Sequence, residues 1–394
     1  MRLILGSILF LISGSLLASG LTEHEAVEQG LRHPAIANQL DARRGIARGR
    51  VESAGRWDNP EIEYDWESLD FAGGSVDENS FLVRQRFDLA GVKRLERLSA
   101  SLEMEAEEAR IELTRRELVS QVREVFYSAM AAEQRQRAVE RWQLRLEELA
   151  LAISARVQAG DVSRYDETRV ARELALLEGE SLAVSSEAES ARDGLATLIG
   201  QESFELLGQV LPPGAPPDSL PSLLDRHPLL DALGAEADSA AQLQEAASRE
   251  RWPEVSLGLG YKESRQPGMQ ADGAMISLGI ELPLFDRGQG RESMTKERSR
   301  LLTVERQLEE RRLQVEARTI LRRWRASIGA VDALDREQSQ GLIGMAEAAY
   351  GAGEITVMEL MDAWRAELNT QLQLISSSLA ARQAYIEWQT FTGE

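Results

Sequence analysis

Four short segments alternate apolar and polar residues in a chain otherwise patterned for helices, and they fall in two pairs. In Glu61 to Ser68, Ile62, Tyr64 and Trp66 share one face while Glu61, Glu63, Asp65 and Glu67 share the other, the period of two of a strand with unlike faces. Ser80 to Phe87 follows suit, with Phe81, Val83 and Phe87 opposite Arg84 and Arg86. Further on, Val255, Leu257, Leu259 and Tyr261 back onto Ser256, Gly258, Gly260 and Lys262, and Ile276, Leu278, Ile280 and Leu282 back onto Met275, Ser277, Gly279 and Glu281. Stretches rich in Gly, Asp and Ser, Asp70 to Asn79 and Ser264 to Gly273, predict a hairpin loop between the members of each pair.

The pairs belong to a larger duplication at a spacing of roughly 195 residues, the size of an ordinary domain. His33-Pro34 recurs as His227-Pro228, Trp57 with Pro60 as Trp252-Pro253, and Gly160-Asp161-Val162-Ser163 as Gly353-Glu354-Ile355-Thr356. We expect a first repeat over 21–208, a Pro-rich linker over 209–222 around Pro212-Pro213-Gly214-Ala215-Pro216-Pro217, and a second repeat over 223–394. Each repeat reads as a helix (about Glu23 to Gly55, then Leu229 to Glu250), a β-hairpin (61–87, then 254–284) and a long helical hairpin (92–199, then 291–391). Val92 to Gln158 contains no proline or glycine, and about 65 residues at 1.5 Å each extend roughly 100 Å. Its apolar steps of three and four, through Leu95, Leu98, Leu102, Ala106, Ala109 and Leu113, form a coiled-coil seam. Gly160 predicts the turn into a helix over Val162 to Ile199, and Gly351 with Gly353 the turn between Glu292 to Tyr350 and Val357 to Thr390.

Residues 1–20 predict a secretory signal peptide: Arg2, an apolar run over Leu3 to Leu17, and the small-x-small pattern Ala18-Ser19-Gly20. No other apolar run approaches the roughly 20 residues of a spanning helix. The chain carries 45 Lys and Arg against 65 Asp and Glu, a net charge of −20, which argues against a nucleic-acid partner. Without cysteine there is no disulfide, thiolate site or acylated N-terminal cysteine. His24, His33 and His227 are too scattered for a histidine-based metal centre, and Glu23-His24-Glu25 is a poor one because adjacent residues rarely converge. No cofactor or bound metal is expected.

Strands with one lipid face and one water face suit an outer-membrane barrel, but four cannot close one. Open edges in lipid demand association, and three copies supply twelve strands. A secreted coiled-coil rod or periplasmic adaptor is the alternative, although neither has a use for two hairpins at matched places. A hydrolase has no motif to stand on, since Gly-x-Ser-x-Gly and His-Glu-x-x-His are absent.

Leu282-Pro283-Leu284-Phe285-Asp286-Arg287-Gly288-Gln289-Gly290-Arg291 and its first-repeat counterpart Arg86-Phe87-Asp88-Leu89-Ala90-Gly91-Val92-Lys93-Arg94 resemble the strand-to-helix segments of TolC-type outer-membrane efflux proteins. With Asn59-Pro60-Glu61-Ile62-Glu63 they are most similar to the CzcC-like, heavy-metal cation branch; where that branch has two adjacent glycines before Lys-Arg, this chain has Ala90-Gly91-Val92. The resemblance covers nearly the whole mature chain. It implies a mainly α protein with a small β part: duplicated long helical hairpins forming an α-barrel, and four strands per chain in a 12-stranded trimeric barrel. It further implies a non-enzymatic homotrimer in outer-membrane lipid that reaches into the periplasm of a Gram-negative cell. There it would dock a periplasmic adaptor and an inner-membrane RND pump, as the exit duct of a tripartite heavy-metal efflux system. A drug-efflux or type I secretion duct is the alternative.

The helix tips Gly160, Asp161, Gly353 and Glu354 are then the adaptor-docking points. Asp166, Tyr350, Glu359 and Asp362 match by alignment the entrance residues of that family, where a tyrosine on one hairpin and an aspartate on the other tie the closed state. The family's tip arginine is replaced by Ile355. Glu359 and Asp362, three apart on a helix, fit either a solvated face or, in a trimer, stacked carboxylate rings that favour cations and raise one another's pKa. Glu61, Glu63, Asp65, Glu67, Arg84 and Arg86 are expected on the barrel lumen, as a cation-preferring lining or as cross-strand wall pairs.

Overall fold

The computed structural model describes residues 20–218, 227–338 and 341–393. The signal-peptide segment lies outside them apart from Gly20, as do linker residues 219–222. The elements are β1 (Gly20–Leu21), α1 (Glu23–Leu31), α2 (Pro34–Ala54), β2 (Glu61–Phe71), β3 (Gly74–Phe87), α3 (Val92–Ala159), α4 (Arg164–Ile199), β4 (Glu205–Leu206), α5 (Pro228–Arg249), β5 (Glu254–Gln266), β6 (Met269–Glu281), α6 (Gln289–Gln338), α7 (Leu342–Ala352) and α8 (Val357–Thr392).

Three sequence expectations are corrected. The helix expected over Glu23 to Gly55 is two, because Pro34 has no N–H to continue α1 and instead starts α2 at the position where proline is tolerated. The second outgoing helix, expected from Glu292 to Tyr350, is likewise split into α6 and α7, with Gly341 at φ +64 before α7, a backbone state open to glycine. The hairpin loops are also far shorter than expected, since β2 meets β3 across Ala72-Gly73 and β5 meets β6 across Pro267-Gly268. The polar residues that read as loop are held in strand by cross-strand bonds: Ser68 Oγ donates to Asp77 at 2.6 Å, Gln270 Nε2 to Glu263 at 2.7 Å and Tyr261 Oη to Asp272 at 2.5 Å.

Among the described residues, two compact units form, and neither coincides with a repeat. One draws on 37–114 and 227–316 and holds the antiparallel sheet β2-β3-β5-β6. Its helices pack through Leu233, Ala240 and Leu302, and a buried Ser99–Ser239 hydroxyl pair lies at 2.8 Å. Here Asp88 caps α3, accepting from the backbone N–H of Val92 at 2.9 Å and Lys93 at 2.7 Å. In the second repeat Gly288, at φ +76, turns β6 into α6 where a Cβ would stand 2.4 Å from the Ala247 carbonyl oxygen.

The other unit draws on 20–36, 115–218 and 317–393. Its core is a series of apolar clusters along α3, α4, α6, α7 and α8, led by Phe126, Leu195 and Ile386, by Ile153, Val170 and Leu360, and by Trp324 and Trp388. Trp142, Trp324, Trp364 and Trp388 all lie in or against these clusters, as packing residues.

Candidate functional site

The register of the sheet sorts its two faces row by row. One row reads Ile62–Val83–Leu259–Ile276 across all the strands, and the next Tyr64–Phe81–Tyr261–Ala274. This apolar face is open: Ile276 is 75% exposed, Ile62 68% and Trp66 65%. At its upper limit the phenols turn their hydroxyls away from the aliphatic rows, Tyr64 donating to Asn79 Oδ1 at 3.0 Å and Tyr261 to Asp272. Beyond them come the polar residues Glu263, Arg265, Asp272 and Gln270. At the other limit Trp57 packs edge-on against Phe87 at 5.8 Å. Aliphatic rows between two aromatic levels match a lipid-facing band, and contiguous apolar surface of this kind is rare on a monomer in water. Strands β2 and β6 are the sheet's edges, each with one neighbour.

Glu61, Glu63, Asp65, Glu67, Arg84 and Arg86 occupy the opposite face, and the arginines there rest on acids. Arg84 forks onto Glu63, with one bond at 2.9 Å, and Arg86 donates to Glu61 at 2.7 Å. Asp65 accepts from Ser80 at 3.2 Å. Lys262 bridges to Glu78 at 2.5 Å. Leu82 is on this face yet only 4% exposed, because it lies over Gly258 and Gly260, where an added Cβ would come within 3.0 Å of Leu82 Cδ1.

At the helix tips the two repeats end in the same backbone figure. Gly160 (φ +84) closes α3, its N–H donating to Val157 O at 3.0 Å and that of Asp161 to Arg156 O at 2.9 Å. Gly353 (φ +75) closes α7, its N–H donating to Tyr350 O at 3.0 Å and that of Glu354 to Ala349 O at 2.9 Å. These are glycine C-caps in the left-handed region. The returning helices are capped in parallel. Ser163 Oγ accepts from Asp166 N at 3.2 Å and donates to the Asp166 carboxylate at 2.7 Å. Thr356 and Glu359 close a reciprocal capping box, with Thr356 N donating to Glu359 Oε2 at 2.7 Å.

Asp166 and Glu359 are thus engaged locally as caps. Tyr350 receives Arg156 Nη1 at 3.3 Å rather than Asp166. The backbone and hydroxyl of Thr356 hold the Glu359 carboxyl below the usual glutamate range. That direction is opposite to the mutual rise expected of neighbouring acids, because the capping bonds dominate within one chain. Asp362 is exposed one turn further along α8. Sequence reasoning missed Arg156. It also missed Arg145, which lies 5.1 Å over the Trp142 ring and bridges to Glu347 at 3.2 Å. Only a heptad-phase comparison of α3 with α7 could have paired these. Among the described residues no group of three or more His, Cys, Asp or Glu could hold a metal ion, and no helix is long and apolar enough to cross a membrane.

Residues 220–394 match the outer membrane efflux protein family. The chain is 32% identical over 206 residues to the cobalt-zinc-cadmium resistance protein CzcC of Cupriavidus metallidurans, covering 51% of this chain and 49% of that one. It therefore spans about half the length of that curated relative. In fold it superposes on CusC with a TM-score of 0.78 at 15% identity, covering 95% of this chain and 92% of CusC. On VceC of Vibrio cholerae the TM-score is 0.76 at 18% identity, with 94% and 96% covered. The resemblance to TolC-type efflux proteins and to their CzcC-like branch is borne out, and the fold is TolC-like: long helical hairpins with a small β part.

Proposed function

From a chain with this family resemblance and this fold, we propose one protomer of a homotrimeric outer-membrane duct, the exit of a tripartite RND-type efflux system, performing passage and not catalysis. The observation that carries the reading is the open aliphatic face of β2-β3-β5-β6, bounded by aromatics and ending in two free strand edges. In water that face would cost about 25 cal/mol for every Å² left uncovered, and in lipid the unpaired edges would cost several kcal/mol per polar group. Lipid on the face and further copies at the edges remove both penalties, and three copies complete twelve strands. The repeats over 21–208 and 223–394 then each supply one hairpin to the barrel and one helical hairpin to the periplasmic tube.

The tips at Gly160, Asp161, Gly353 and Glu354 would meet the adaptor. Tyr350, Asp166, Glu359 and Asp362 would ring the entrance, where carboxylates of three copies favour cations. The cargo reading, heavy-metal cations, is supported by the likeness to CzcC over half the chain. A duct reads cargo weakly, so a drug pump is the alternative, decided by the partner pump.

The test is the state of the protein in a Gram-negative host. We expect it in the outer-membrane fraction, running on unheated SDS gels near three times the protomer mass of 43.7 kDa and collapsing to one protomer on boiling. A detergent-free soluble monomer would sink the proposal. Deletion should sensitise the parent strain to cobalt, zinc or cadmium before it sensitises it to organic drugs.

A further inference from the structure

Both repeats pass from strand to long helix through the same turn, yet they surround it differently. Gly91 (φ +72) and Gly288 (φ +76) make the turn, and an arginine stands three residues past each, Arg94 and Arg291. In the second repeat that arginine is taken: Glu250, two residues ahead of Trp252, bonds Arg291 at 2.6 Å. Two residues ahead of Trp57, the first repeat has Gly55 in its place. Arg94 is thereby left exposed, with no ion pair or hydrogen bond among the described residues. The same holds for Arg97, where the second repeat has Met294. A Cβ at position 55 would stand 2.7 Å from Arg97 Cδ, so the Arg97 stem lies directly over the glycine.

The outcome is a hollow of about 370 Å³ whose wall includes Gly55, Trp57, Phe87, Leu89, Arg94 and Arg97. Its other charged groups are already engaged. Lys93 Nζ bridges to Asp58 at 3.0 Å, Arg86 donates to Glu61 at 2.7 Å, and the Asp88 carboxylate caps α3. Arg94 and Arg97, three apart on one face of α3, are the charges left over. Trp57 and Phe87 are also the lower limit of the open aliphatic face, and Leu89 is exposed beside them. The hollow therefore continues that face, with apolar wall on one side and two guanidinium groups on the other.

We propose that it seats an anionic glycerophospholipid, one per protomer. Arg94 and Arg97 would hold the phosphate, whose oxygens match the planar guanidinium fork, while the acyl chains run over Phe87 and the aliphatic rows. An inorganic anion would gain the charges but not the wall, and a lipid without net charge the wall but not the full charge complement. The second repeat has no equivalent seat, because Glu250 already fills that role for Arg291. A bound lipid would fix the depth of the barrel at its helix-side boundary in a chain that has no cysteine to acylate. The inference rests on the outer-membrane part of the proposed function.

The test is native mass spectrometry of the detergent-extracted trimer, stripped of lipid and titrated with phosphatidylglycerol. We expect saturation at one lipid per protomer. Arg94→Gln with Arg97→Gln should weaken binding about tenfold or more, the size of one lost charge-assisted bond. Gly55→Glu, which gives the first repeat the carboxylate of the second, should do the same, and Arg291→Gln should leave binding unchanged. Undiminished binding by the double arginine variant overturns the assignment. Phosphatidylethanolamine binding as tightly as phosphatidylglycerol also overturns it, since the arginines would then select nothing, and so does glycerol 3-phosphate binding as tightly, since the seat would then be for a free phosphate. A trimer that takes up no lipid leaves the duct standing, whereas a soluble monomer removes both.

Discussion

The first hairpin, β2–β3, fills its polar face with Glu61, Glu63, Asp65, Arg84 and Arg86, whereas the second, β5–β6, lines the same face with Ser256, Gly258, Gly260, Ser277 and Gly279. Their other faces are alike, aliphatic with aromatics at the limits, so the two hairpins differ on one face alone. The divergence is complementary. Leu82 of the first repeat is buried only because the second offers glycines beneath it, and a charged ladder repeated on β5 would leave Leu82 no floor. Two copies of one hairpin could not build this sheet.

The hardest blow to that complementarity is Gly260→Val. Its Cβ would stand 2.2 Å from the Phe81 carbonyl oxygen, a backbone atom that cannot swing aside, so the β3–β5 pairing must part. Overpacking costs about 1–3 kcal/mol where side chains can adjust and more where they cannot. We expect assembled, heat-modifiable oligomer to be largely lost from outer membranes, while Gly273→Val, with open space around its Cβ, assembles normally. Normal assembly of both would mean that the glycine floor is incidental.

Next in size is Leu82→Ala. Truncating a buried leucine costs about 2–5 kcal/mol, and the loss should appear as a lower dissociation temperature on unheated gels. Val83→Ala, one residue on and facing outward at 38% exposure, should shift it far less. Equal shifts would show that Leu82 is not seated as a core residue.

Glu61→Gln with Glu63→Gln attacks the first hairpin's own device. Pairs this exposed contribute about 0–1 kcal/mol, so assembly should persist. Arg86 and Arg84 would, however, lose their partners, and the reversal potential in a salt gradient should move toward anions. The same measurement on Ser256→Ala should not move, since Ser256 carries no charge.

Much of this was legible in the chain. Alternation revealed which residues share a face, because a strand's period is local, and the glycines at 160 and 353 revealed the tips, because a left-handed C-cap is a local demand. The extent of the strands was hidden, since Asp77 and Asp272 look like loop until they meet Ser68 and Tyr261 across their hairpins. The Arg156–Tyr350 contact was hidden more deeply: it joins residues of different repeats, and only the packing of α3 against α7 and α8 decides it. Asp166 and Glu359 also carry a local role that the entrance reading does not use. An acid three residues past Ser or Thr is a helix-start signature, and that reading competes with any assignment to an entrance.

The two tips supply the smallest test. The second has the full reciprocal box of Thr356 and Glu359, whereas in the first Ser163 and Asp166 bond to each other and Asp166 N–H to Ser163. Losing a Thr or Ser N-cap costs about 1 kcal/mol, so Thr356→Ala and Ser163→Ala should each speed amide exchange in the first turn of the returning helix. The second tip should also answer to acid. Its Glu359 carboxyl is held below the usual range by the folded cap, so the box is intact above that range and is lost as pH falls through the depressed value. First-turn amides of α8 should therefore stay protected from neutral pH down to about pH 5 and lose protection only in stronger acid. Glu359→Gln should abolish that dependence while keeping most of the protection, because an amide can still accept from the Thr356 N–H. Exchange that already rises between pH 7 and 5 would mean that the carboxyl titrates with its neighbours at the mouth, and is not governed by its own helix start.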